Sequence, residues 1–201
     1  MTRLDRLVLI LALAFPATGL ASPVLFDLRA DEIEDIDEVN SFDLLRGGIT
    51  ATLIATPPTF NEPPSRELLL NRTASAFGVN VENTSCGSSE SSSLLDDGCV
   101  GEAIDVTFDF DVFLNEFKVS SFGADVGRAD IVGAPSIDIL NTGIHSLGDT
   151  FLAAGDALSI VFVSGNGFSF DNFSVMRAPI PATSLLFGFV VGLLPLRSRR
   201  S

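Results

Sequence analysis

Carboxylates are the only reactive side chains this sequence holds in quantity. Asp31 to Glu38 places six of them in eight positions, and Asp96, Asp97, Glu102 and Asp105 form a second group. Charges packed at that density repel one another unless water or a cation lies between them, and Ca²⁺ takes about 6–8 oxygen ligands from loops of this kind. Neither stretch has the spaced aspartates of an EF-hand loop, although extracellular modules fill imperfect sites with dissociation constants of about 10⁻⁴–10⁻³ M. The competing expectation is a solvated acidic surface that keeps the chain soluble. Carboxylate pairs also serve glycosidases. With 26 acidic residues in 201, some pair exists at any spacing, so that signal decides nothing.

The remaining inventory argues against catalysis. Cys86 and Cys99 enclose twelve residues, whereas a redox-active pair usually keeps two between its sulfurs. In an exported protein the expectation is a structural disulfide, and closing a loop of roughly 15 residues is worth about 3 kcal/mol. His145 is the sole histidine, which excludes a two-histidine zinc site. Its setting, Gly143-Ile144-His145-Ser146, predicts a loop position with an exposed or satisfied ring rather than a catalytic base. Lys118 is the sole lysine and follows Asn115 by three, so neither S-x-x-K nor a P-loop exists, and no G-x-S-x-G occurs. All 17 aromatic residues are Phe, which denies a sugar the usual platform with a polar handle. A net charge of −14 leaves no basic surface for a phosphate backbone, so nucleic acid is excluded as a partner. The chain reads as a non-enzyme.

The segments that must carry and position this chemistry begin with the two ends. Arg3 and Arg6 precede an apolar run from Leu7 to Phe15, Pro16 breaks it, and Gly19-Leu20-Ala21 offers small residues. Residues 1–21 therefore read as a secretory signal peptide, cleaved after Ala21 by signal peptidase. At the other end, Ile180 to Leu196 is uncharged and apolar for seventeen residues, and Arg197, Arg199 and Arg200 follow at once. That length is at the lower limit of a spanning helix. The arginines would stay on the cytoplasmic side and leave the rest outside.

Pro179-Ile180-Pro181-Ala182, the apolar stretch and the basic Arg197-Ser198-Arg199-Arg200 occur in that order. Together they resemble the PEP-CTERM sorting signal, in its Pro-x-Pro-Ala form. The resemblance covers residues 179–201. It implies an exosortase-like partner in a Gram-negative bacterium and a tail that serves as a processing address. The chain would first be held in the membrane by its C-terminus and then passed to the cell surface or extracellular matrix.

Between these ends, residues 22–178 hold 25 acidic and 7 basic side chains, a net of −18. About 157 residues suffice for one hydrophobic core. Their periodicity is that of strands. Ile104, Val106, Phe108 and Phe110 alternate with Asp105, Thr107, Asp109 and Asp111, and Phe117 with Val119 continues the pattern. Ile137 and Ile139 flank Asp138. Ala157 to Val163 is nearly continuous and predicts a strand covered on both faces. Phe168 to Val175 alternates with a shift near Asp171-Asn172, where a bulge is expected. Ile49 to Ala55 and Ala76 to Val81 are further strands. With Gly and Pro punctuation between them, these predict an all-β antiparallel β-sandwich, jelly-roll-like, with no long helix outside the ends.

Phe77-Gly78-Val79-Asn80, the cysteine-bracketed loop, Gly101-Glu102 and the closing Phe168-Ser169-Phe170-Asp171-Asn172-Phe173 are similar to the domains that accompany PEP-CTERM tails. The likeness implies a β-rich exported domain. In many β-sandwich modules a loop carboxylate and an aspartate of the last strand share a structural calcium. By that likeness Asp97, Glu102 and Asp171 are the candidate ligands and Ca²⁺ the candidate cofactor. The expected function is a surface or matrix protein associated with exopolysaccharide. The alternatives are a calcium- or carbohydrate-binding module and a plainly membrane-anchored protein.

Overall fold

The computed structural model describes residues 22–29, 39–57, 68–73, 76–81, 94–95, 102–121, 123 and 125–179. Twelve strands run through them and no helix. They are β1 (Val24–Asp27), β2 (Ser41–Arg46), β3 (Ile49–Thr56), β4 (Leu68–Arg72), β5 (Phe77–Val81), β6 (Ala103–Phe108), β7 (Val112–Ser120), β8 (Val126–Ile131), β9 (Ile137–Ile139), β10 (Gly143–Leu152), β11 (Ala157–Ser164) and β12 (Ser169–Arg177). Accordingly, no described helix is long and apolar enough to cross a membrane. Ser22–Arg177 close as one unit.

The two-residue period becomes a buried face and an outer face. In β6, Ile104, Val106 and Phe108 are buried while Asp105 and Thr107 are half-exposed. The alternation ends at Phe108, one step earlier than its sequence suggests. Asp109 turns the chain, because its carboxylate accepts the Thr50 N–H at 2.8 Å while its own N–H donates to the Thr50 carbonyl at 3.1 Å. Phe110 is thereby left outside the strand, with the Arg177 guanidinium 3.5 Å above its ring. In β11, Leu158, Ile160 and Phe162 face the core and Val161 is also buried, but Val163 is 51% exposed. The expected cover on both faces therefore stops at Val161.

Every pairing is antiparallel. One sheet has the order β1-β12-β7-β10 and another the order β2-β3-β6-β11-β8-β9, with β4-β5 as a separate pair. The two larger sheets meet through phenylalanines, since apolar rings on facing inner surfaces exclude water from both at once. Phe26 of β1 stacks on Phe173 of β12 at 4.8 Å, and Phe108 of β6 stands edge-on to both, at 6.2 and 5.9 Å. Phe170 stacks on Phe173 at 5.7 Å and meets Phe117 edge-on at 6.4 Å. The result is an all-β, sandwich-like fold with one core. The small pair adds Leu70, Phe77 and Val79 to that core. Isolated bridges lengthen it: Val39 pairs with Leu70, Leu94 with Val79, and Leu95 with Phe168.

The connections gather at identifiable ends. Val24 pairs with Val175, and Val112 pairs with both Arg177 and Leu152. The Ala154 N–H donates to the Asp111 carboxylate at 2.9 Å and the Gly155 N–H to the Phe108 carbonyl at 3.0 Å. The start of β1, the end of β12, the β6–β7 bend and the β10–β11 turn therefore lie together at one end. Gly47 belongs there too, because a Cβ on it would come within 2.7 Å of the Val24 side chain.

Candidate functional site

The ladder between β12 and β7 slips between Phe170 and Asn172, which is the bulge expected from sequence, and Asp171 is the extra residue. A bulged residue leaves the regular pairing and can aim its side chain elsewhere. The Asp171 carbonyl accepts the Leu28 N–H at 2.9 Å. Its carboxylate is buried, and four side chains converge on it. Oδ1 accepts from the Ser120 hydroxyl at 2.7 Å and the Ser169 hydroxyl at 3.0 Å. Oδ2 accepts from Arg29 Nη1 at 3.0 Å, and Lys118 Nζ lies 3.7 Å away. Ser169 Oγ in turn accepts the Phe77 N–H at 2.9 Å, and Arg72 Nη2 donates to the Arg29 carbonyl at 3.1 Å. One buried charge thus ties the segment after β1 to β4, β5, β7 and β12. Three of the domain's seven basic residues serve this cluster.

In this placement the Asp171 carboxylate, one of the candidate calcium ligands, is ion-paired with Arg29 and Lys118. A guanidinium and an ammonium already supply the positive charge a buried carboxylate requires. Glu102 is fully buried at the entry to β6, where its carbonyl accepts the Phe162 N–H at 2.9 Å. Asp97 lies outside the described residues, as do Cys86, Cys99, Ala21, Ile180, Pro181, Ala182, Arg197, Arg199 and Arg200. Among the described residues, no group of three or more His, Cys, Asp or Glu side chains is placed to hold a metal ion.

A further buried carboxylate escaped the sequence reading. Asp125, 4% exposed, accepts the backbone N–H of Gly123 at 2.5 Å, of Gly167 at 3.2 Å and of Asn166. It fastens the β7–β8 loop to the β11–β12 loop. The legible signal was Gly165-Asn166-Gly167, a stretch whose backbone can turn its N–H groups toward one acceptor. Gly165 has φ +122°, and a Cβ there would lie 2.1 Å from Asp125 Oδ1 and 2.6 Å from its Cα. Gly165→Ala is therefore expected to destabilise the domain by about 2–4 kcal/mol, combining backbone strain with overpacking. The urea midpoint reads this out; a change within error would mean that the loop pair tolerates separation.

His145 is not in a loop but in β10, its ring stacked on Phe117 at 5.1 Å. Nε2 donates to the Asn141 carbonyl at 3.0 Å, the only role a carbonyl acceptor allows. That hydrogen bond and the stack on Phe117 hold the ring in place.

On β8, Arg128 and Asp130 share one face two residues apart and pair bidentately, Nε–Oδ1 and Nη2–Oδ2 both at 2.7 Å. Burial pushes the Asp130 carboxyl up, but hydrogen bonds from Arg128 and Ser136 and the charge of Arg128 hold it below its ordinary value of 3.8. Asp130 therefore stabilises fully above its unfolded pKa and loses that contribution as pH falls through the lower folded value. The size is about 0.5–1 kcal/mol, since the pair is only partly buried. Asp130→Asn should lower the melting temperature near neutral pH, and the difference should shrink as the pH falls through the lowered folded value. A constant difference across that range would dissociate the pair from stability.

No protein-family model matches the chain, and neither does any curated protein.

Proposed function

We propose that this chain is a non-catalytic bacterial protein, exported through its N-terminal signal and sorted to the cell surface or matrix through its C-terminal tail. The observation that carries the reading is the ordered tail: Pro179-Ile180-Pro181-Ala182, an uncharged run to Leu196, and Arg197, Arg199 and Arg200. The fold supports a jelly-roll assignment for the exported domain. β1-β12-β7-β10 and β6-β11-β8-β9 follow the order of two interlocked Greek keys, with β2 to β5 inserted after the first strand. The acidic outer residues keep such a domain dispersed, and its partner at the surface is exopolysaccharide. A buried carboxylate committed to Arg29 and Lys118 fits a domain built for endurance.

The deciding experiment expresses the full chain in a Gram-negative host with and without an exosortase-like enzyme and measures the mass of the protein from each fraction. The expected product begins at Ser22 and, only where the enzyme is present, has lost the residues after the Pro179–Ala182 motif. A tail that stays intact in the membrane fraction with the enzyme present overturns the sorting assignment and leaves a plain C-terminal anchor.

A further inference from the structure

We infer that Gly165-Asn166-Gly167 is a latent deamidation site, held shut by the buried Asp125 carboxylate. Of the nine asparagines only Asn166 is followed by glycine, whose bare backbone lets its nitrogen approach the preceding side-chain carbonyl. Asn166 is exposed in the β11–β12 loop, between glycines at φ +122° and +104°. The chemistry is internal to this turn. The Gly167 nitrogen gives up its proton and bonds to Asn166 Cγ, ammonia leaves, and a five-membered imide closes. Water then opens the imide at either carbonyl. The product is aspartate, or isoaspartate with its main chain rerouted through Cβ.

Asp125 opposes that sequence of steps in two ways. The first is geometric. The Asn166 and Gly167 N–H groups both donate to Asp125 Oδ1, the second at 3.2 Å. Two successive N–H groups meet on one oxygen when their nitrogens lie on the same side of the Cα–C bond between them, as in a nest. Closing the imide requires Cβ on that side instead, and Cβ lies about 120° from the nitrogen around a tetrahedral Cα. Asn166 cannot satisfy both, so Gly167 must first leave Asp125. The second is electrostatic. Attack needs the Gly167 nitrogen without its proton, and a carboxylate that accepts that N–H retains the proton and repels the charge its loss would leave. Asp125 is buried, where water screens such repulsion poorly.

Parting of the β7–β8 and β11–β12 loops is reversible, whereas loss of ammonia is not. The imide nitrogen carries no hydrogen to donate, and isoaspartate inserts a carbon between the two nitrogens that shared Oδ1. Aspartate at this position sets a further carboxylate beside Asp125. Each product weakens the fastening, so a transient opening of the loop pair becomes a permanent one.

Ammonia loss is followed by mass spectrometry of the peptide carrying residue 166, in the full chain at mildly alkaline pH. Folded wild type should react at least about tenfold more slowly than the same chain in denaturing urea, because only the opened fraction reacts. Asp125→Asn keeps the shape but not the charge, and should speed the folded reaction by about threefold or more. Phe173→Leu loosens the core away from these loops and should leave the rate near wild type. No ammonia loss in urea removes the site, and equal rates in folded and denatured wild type overturn the protection. Equal acceleration by Phe173→Leu assigns the protection to general stability and takes it from Asp125. If Asp125→Asn fails to match the wild-type circular dichroism, hydrogen exchange of the Gly167 N–H in the unaltered chain decides. Its temperature dependence should run parallel to that of ammonia loss, and divergence overturns the gating. Deamidated chain, once isolated, should unfold at lower urea; an unchanged midpoint overturns the permanent opening.

Discussion

Phe173→Ala lowers the stability of the domain by about 3–5 kcal/mol, the cost of emptying a buried aromatic site that cannot collapse. At roughly 2–4 °C per kcal/mol for a chain of this size, the melting temperature falls by about 6–20 °C. The magnitude follows from where the ring sits. Phe173 is 1% exposed, is stacked between Phe26 and Phe170, and meets Phe108 of the opposite sheet edge-on. Its removal loses transfer free energy and also unseats an aromatic contact set that spans both sheets. Phe173→Leu refills part of the volume and should cost about 1–2 kcal/mol. Phe151→Ala deletes the same side chain where half of it already meets water, and should cost under about 1 kcal/mol. Urea unfolding of the three variants checks the ordering. If Phe173→Ala and Phe151→Ala proved equal, the shared core would not be what holds the sheets together.

The same contrast between faces explains which elements were legible. β6 and β9 could be read because large apolar residues occupy every second position and polar ones the rest, and β3 and β12 keep that pattern over part of their length. In β8 the inward positions are Gly127, Ala129 and Ile131, and the first two are too small to register as a buried face. The reason is three-dimensional: a Cβ on Gly127 would lie 2.7 Å from the ring of Phe168, which fills the space from just before β12. β10 hides its period differently. Gly148 and Asp149 both adopt left-handed backbone, at φ +62° and +56°, and the register against β7 shifts between Ser146 and Thr150. Without a visible period, Gly143-Ile144-His145-Ser146 reads as a loop in sequence although it is the start of β10. In β2, Leu44 is buried and Leu45 exposed, and no alternation survives two leucines in a row. The site shows a similar division. A local pattern located Asp171 and its bulge, but Arg29, Lys118 and Ser120 come from segments 142, 53 and 51 positions away, and only the fold assembles them.

Asp171→Ala should prove nearly as damaging as loss of the core ring, for an electrostatic reason. Breaking a buried charge pair from one side costs about 3–5 kcal/mol, because the partner remains without compensation. Here the partners keep some water, with the Arg29 and Lys118 side chains 34% and 43% exposed, so about 3 kcal/mol is the reasonable figure. Asp171→Asn retains an acceptor for one serine hydroxyl while discarding the charge, and should lose roughly half as much. Ser120→Ala and Ser169→Ala each remove one charge-assisted hydrogen bond, worth about 1.5 kcal/mol. Ser169 should show the larger effect, since its hydroxyl also receives the Phe77 N–H and so joins β12 to β5. Salt separates the two cations. Raising ionic strength should weaken the longer, more exposed Lys118 contact and leave the Arg29 hydrogen bond largely intact. The metal question can be put to the same variants. If Arg29 and Lys118 are what neutralise Asp171, the stability lost in Asp171→Ala is equal in EDTA and in millimolar calcium. A loss that appears only when calcium is present would assign Asp171 the role of an ion ligand.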